Sequence, residues 1–143
     1  MRRPARQRGA YTVEFAIVAG VFFLLLFATF EIARFFWVFN TLTEVTRRGA
    51  RVAVVCPVNH PDIARIAILG SPGGADTSPV LNNLSVANIA IAYMDNDSAA
   101  TVSYPDIEFV RVSVVNYTHQ LLIPFIPADV ATIQMPPVAT TLP

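Results

Sequence analysis

Residues 15–30, FAIVAGVFFLLLFATF, carry no charge, and the apolar pattern runs on as EIARFFWVFN. The uncharged stretch is slightly short of the roughly 20 residues that cross a bilayer as a helix. With its continuation it predicts one helix from about residue 10, spanning a membrane over about 15–38. Phe35, Phe36, Trp37 and Phe39 are the aromatic cluster suited to a membrane–water interface. Glu31 and Arg34 stand three apart, the spacing of an intrahelical ion pair, and are also a candidate interhelical contact. Residues 41–55, TLTEVTRRGARVAVV, place Leu42, Val45, Gly49 and Val52 at helical spacing, with Glu44 and Arg48 as an i,i+4 pair. Pro57 ends the pattern. One long helix over 10–56 follows, its second half amphipathic and in need of a partner.

The rest of the chain, 57–143, offers that partner. DIARIAIL, 62–69, predicts a short helix begun by Pro61 or capped by Asp62. GSPGGADTSP, 70–79, is a loop. LSVANIAIAYM (84–94) and IEFVRVSVVNY (107–117) predict strands, the second with Val110, Val112 and Val114 on one face. The turn between them starts at Asp95, Asn96 and Asp97. LLIPFIP, 121–127, is broken by Pro124 and Pro127 and is expected as a packed loop, and DVATIQM, 129–135, as a third strand. The fold class expected is α+β: a long N-terminal transmembrane helix extending into a small domain with an antiparallel sheet of about three strands.

Charge orients this plan. Arg2, Arg3, Arg6 and Arg8 occupy the first eight residues with no acid, whereas 52–143 hold two arginines against seven acids. Positive flanks of a span stay cytoplasmic, so residues 1–9 are expected as a cytoplasmic leader and 57–143 outside. Arginines directly before an apolar run favour a membrane over a nucleic-acid reading. A cleaved secretory signal fits the basic start, but aromatic residues stand where a small-x-small cleavage site belongs.

Candidate chemistry is sparse. His60 and His119 fall in no metal-ligand spacing and are expected on the surface or in loops. Cys56 with His60 is a conceivable nucleophile pair, but a lone cysteine beside a proline is more often structural. Residues 71–76, SPGGAD, lack the lysine of a phosphate loop, and Asp95–Asp97 lack the glycine and glutamate of a calcium loop. No enzyme activity, cofactor or metal is expected.

One acid interrupts the apolar plan. In RGAYTVEFAIVAG (8–20), Glu14 opens the apolar run five residues after Gly9. Gly9, Ala10, Glu14 and Phe15, preceded by arginines, resemble the processing site of type IV prepilins and pseudopilins. That resemblance implies a prepilin peptidase cutting after Gly9, and Glu14 pairing with the new N-terminus of a neighbouring subunit. A buried carboxylate needs such a partner. The bland alternative is Glu14 reaching the headgroups at the edge of the span. Val13–Glu14–Phe15–Ala16, the aliphatic span, TRRGARVAVV (46–55) and, more loosely, FVRVSVVNYTHQLLIPFIP (109–127) resemble the TadE-like family. The resemblance implies a minor pseudopilin of the tight-adherence (Flp-type) pilus system. Its partners would be other pseudopilins, inner-membrane assembly proteins and the prepilin peptidase. The rival reading is an unprocessed membrane-anchored scaffold or binding module, whose sheet edge could accept a strand.

Overall fold

A computed structural model describes residues 8–97, 103–122, 127 and 130–143. Arg2, Arg3 and Arg6 lie outside these residues, as do parts of the 94–100 turn and of 121–129. Helix α1 runs unbroken over Arg8–Val55, 48 residues, or about 72 Å at 1.5 Å per residue. Gly9 is therefore helical. Helix α2 (Asp62–Leu69) follows after Pro61, with no side-chain cap on its first turn, and ends on Gly70 at φ 79°. The left-handed conformation there suits glycine.

Three strands form the main antiparallel sheet, in the order β1 (Ile89–Met94), β2 (Phe109–Val114), β5 (Val138–Leu142). The pairs Ile91–Val112 and Val112–Thr140 set its register. A separate two-stranded ribbon joins β3 (Thr118–Gln120) to β4 (Thr132–Gln134), with His119 opposite Ile133. The expected α+β class and three-stranded sheet stand, but the third strand differs. Of 129–135, only Thr132–Gln134 is extended, and it pairs in the ribbon. Pro136 and Pro137 interrupt the ladder because neither has an N–H to donate. The chain then resumes as β5, where Val138, Thr140 and Leu142 turn inward and Ala139 and Thr141 outward.

The first strand is also shorter than 84–94. Val86–Asn88 make a 3-10 turn held by a capping box, with the Ser85 N–H donating to Asn88 Oδ1 at 2.9 Å. The second strand stops before 117, since Asn116 takes a positive φ of 54° and starts a new segment at β3.

Helix α1 lies across this sheet with α2 beside it. Leu42, Val45, Leu81, Leu84, Val114 and Tyr117 fill one part of the core; Ala50, Ala53, Ile63, Tyr93, Val110 and Val112 fill the other. Each fully buried aliphatic side chain contributes about 1.5–3 kcal/mol. Thr46 and Thr140 meet inside through their hydroxyls at 2.9 Å, so the one polar helix residue in this core is satisfied. Arg65 bridges Asp62 and Asp76 at 3.2 and 2.9 Å, tying the 70–79 loop to α2.

Gly49 sets the closest approach. A Cβ there would meet Val112 Cγ1 at 2.9 Å and Ala67 Cβ at 3.0 Å, both on fully buried residues. Gly49→Ala should therefore destabilise despite its better helix propensity. Overpacking costs about 1–3 kcal/mol, against a helix gain of about 0.5–1 kcal/mol. Thermal unfolding of the detergent-solubilised protein should show a lower Tm for Gly49→Ala. An unchanged or raised Tm would contradict the close packing.

Candidate functional site: an open apolar helix and the clamp that ends it

Helix α1 changes environment part-way along. From Gly9 to Phe30 nearly every residue is exposed, including Phe15, Leu24 and Phe30 at 66–74%. Its most apolar 18-residue window has a mean hydropathy of 2.4 and is 0% buried. Such a length of exposed apolar helix is out of place in water, and it is long enough to cross a bilayer. From Phe35 onward the same helix supplies core residues, beginning with Val38 and Leu42. Val38, at the end of the expected 15–38 span, is thus packed inside the C-terminal domain.

Glu31 marks the change. Its carboxylate accepts from Arg34 Nη2 at 2.6 Å and Nε at 3.3 Å, from His119 Nε2 at 3.2 Å and from the Leu122 N–H at 3.3 Å. Arg34 also donates to the Gln120 carbonyl. The expected Glu31–Arg34 pair forms within the helix, and it does more than that, since it clamps the end of β3 to the helix. A carboxylate has lone pairs enough for these donors, and the planar guanidinium forks between two acceptors.

His119 corrects the surface assignment. It is 1% exposed, bonded to Glu31, and its ring stands edge-on to Phe35 with centroids 5.7 Å apart. The signal lay in an alternation that runs past the end of β2: Tyr117 and His119 turn inward while Thr118 and Gln120 turn outward. Beside the clamp lies a cavity of about 230 Å³ lined by Arg34, Trp37, Leu81, Tyr117 and Gln120, among others. The Tyr117 hydroxyl donates to the Asn82 carbonyl at 3.1 Å, and burial pushes its phenol pKa up. His60 is exposed, as expected, and Cys56 is a partly buried free thiol. No group of three or more metal-ligating side chains forms among the described residues.

The processing-site residues sit on the open half. Gly9, Ala10, Glu14 and Phe15 are all exposed on the first two turns of α1, and no atom approaches the Gly9 Cβ position within 4 Å. Glu14 lies on the same open helix as the apolar residues, far in sequence from Glu31 and Arg34.

Residues 9–51 match the family model of TadE-like proteins. The TadE-like match begins at the glycine before the apolar run and ends on Arg51, so it covers the open half, the clamp residues of the helix and most of its amphipathic half. The helix within the matched segment is consistent with a single-pass membrane anchor. The domain built from α2 and the strands lies beyond the TadE-like segment. No curated protein and no solved structure matches the chain.

Removing the clamp's acceptor is the sharpest test of its role. Glu31→Leu strands the buried His119 ring nitrogen, at a cost of about 1–3 kcal/mol, and releases the exposed Leu122 N–H to water. Hydrogen exchange should quicken at Leu122 and across β3 while β1 and β2 stay protected, and Glu31→Gln should show a smaller change. Unaltered exchange at β3 in Glu31→Leu would mean that the clamp does not hold the ribbon.

Proposed function

We propose that the chain is a bitopic, non-enzymatic membrane protein that acts as a minor pseudopilin in Flp-type (tight-adherence) pilus assembly. The observation that carries this reading is the division of α1 at Glu31 into an open apolar half and a half packed under the outer domain, within a TadE-like segment. The span then covers Gly9–Phe30, about 33 Å of helix, which suits a hydrocarbon core of about 30 Å. The arginine-rich start stays in the cytoplasm and the α+β domain lies outside.

A span of that extent includes Glu14. A charged side chain within a bilayer costs about 2.5–3.5 kcal/mol at the helix centre, less near an edge, and demands a partner. Cleavage after Gly9 creates one, since the new α-amino group on Ala10 carries a positive charge about one helical turn from Glu14. Glu14 then holds the register of one subunit against the amine of the next. Gly9 is suited to the cut because it can leave the helix for the extended form a protease binds. The partners in this reading are other pseudopilins, inner-membrane assembly proteins and the prepilin peptidase.

Two measurements test the reading. Mass spectrometry of the chain from native membranes should give an N-terminus at Ala10, and an intact leader when the host's prepilin peptidase is deleted. An intact leader in both strains would favour a permanently anchored scaffold. Glu14→Leu should insert normally yet lose pilus output, whereas undiminished output would remove Glu14 from assembly.

A further inference from the structure

The path of the chain sends one part of the outer domain back towards the apolar half of α1. Strand β2 starts beside the far end of α1 and its last residue, Val114, joins the core around Val38 and Leu42. Tyr117 follows in that same cluster, His119 reaches Phe35 and Glu31, and the Leu122 N–H bonds Glu31. The chain therefore descends along the helix to the level where its open apolar half begins. It returns through Ala131, whose carbonyl accepts from the Leu121 N–H, and Met135, whose N–H donates to the Tyr117 carbonyl. The turn-side end of the β3–β4 ribbon is the lowest described part of the domain.

The described residues on either side of that turn, Leu122 and Val130, are apolar. Leu122 is 70% exposed and Val130 69%. Leu122 is thus not the packed residue that the proline-broken stretch 121–127 led one to expect. Val80, also exposed, shares the cavity wall with Leu122 and Trp37. Trp37 and Phe36 open to the outside on the helix itself, within two turns of Glu31. Leu122, Val80 and Trp37, from three separate segments, thus meet at one level.

We propose that this surface, formed by Leu122, Val130 and Val80 around Phe36 and Trp37, docks the outer domain into the outer leaflet of the bilayer. The inference rests on the membrane reading of α1. The bilayer is the occupant because the patch is continuous with the exposed apolar helix and lies where a span ending at Phe30 meets the headgroups. Aliphatic side chains at that depth gain by leaving water, and tryptophan favours the same layer. The domain is then held twice, by the Glu31 clamp to its own helix and by this patch to lipid. Its orientation relative to the membrane is set rather than left to swing on the stem.

Tryptophan quenching in vesicles decides the matter, because Trp37 is the chain's single tryptophan. The full chain is reconstituted in phosphatidylcholine vesicles brominated high in the acyl chain. Single reporters are Trp37 itself and, in a Trp37→Phe background, Leu122→Trp, Val130→Trp and Tyr104→Trp. Tyr104 is 85% exposed and lies in the β1–β2 connection at the opposite end of the domain. The expected result is quenching of the 122 and 130 reporters to a degree comparable with Trp37, and almost none at 104. Quenching of Trp37 without the 122 and 130 reporters would overturn docking while leaving the span intact. Reporters at 122 and 130 that ignore bromine but shift to the blue as protein density rises would assign the patch to a second copy, and also overturn it. An unquenched Trp37 would also overturn docking, and would leave standing a span that ends seven residues earlier at Phe30.

Discussion

A single uninterrupted helix has to satisfy two solvents, and the rest of the structure follows from where it changes between them. Glu31 is that point. Before it, α1 offers bulky apolar side chains to its surroundings on every face, as a helix in hydrocarbon does. After it, one face is buried under a sheet and the other carries Glu44, Arg47 and Arg51 to the outside. An acid at such a boundary is costly unless it is fully bonded, and Glu31 is bonded by a guanidinium, an imidazole and a backbone amide. Those donors come from the helix and from the ribbon, so satisfying the charge also fixes the ribbon on the helix.

Beyond the clamp, the domain is a thin sheet with one helix as its main partner. That explains the small residues along α1. Gly49, Ala50 and Ala53 let β2 approach closely enough for Val112 to be wholly buried. Thr46 extends the same seam with a hydroxyl pair to Thr140 in place of an apolar contact. The amphipathic half of α1 is therefore the central core element of the C-terminal domain.

The sequence made the helical elements plain and the strand boundaries less so. A long apolar run, an amphipathic continuation and Pro57 leave little freedom in placing α1, and the alternation of Val110, Val112 and Val114 identifies the buried face of β2 without ambiguity. The errors fall where local signals compete with tertiary pairing. LSVAN looks extended by composition, yet Ser85 and Asn88 bond each other and wind a 3-10 turn. The proline pair at 136–137 reads as an end, whereas it only separates two strands that belong to different sheets. VATTL carries too few large apolar residues to announce a sheet partner, because one of its inward positions is a threonine whose mate, Thr46, lies 94 residues away. The bonding of His119 was hidden for the same reason. Its partner is an acid on the helix, and no spacing rule connects residues 31 and 119. The Glu31–Arg34 pair was legible, but its role in fastening a distant strand was not.

Accessibility along α1 in native membranes tests the division at Glu31 most directly. Single cysteines would be placed at Ala19, Leu24 and Ala28 on the open half and at Glu44, Arg47 and Arg51 on the outer half, in a Cys56→Ser background. Each would be treated with a membrane-impermeant maleimide added from outside. The division predicts labelling at 44, 47 and 51 in intact membranes, and labelling at 19, 24 and 28 only after detergent. Ready labelling at Leu24 before detergent would contradict it, and the apolar half of the helix would then need a protein partner in place of a bilayer.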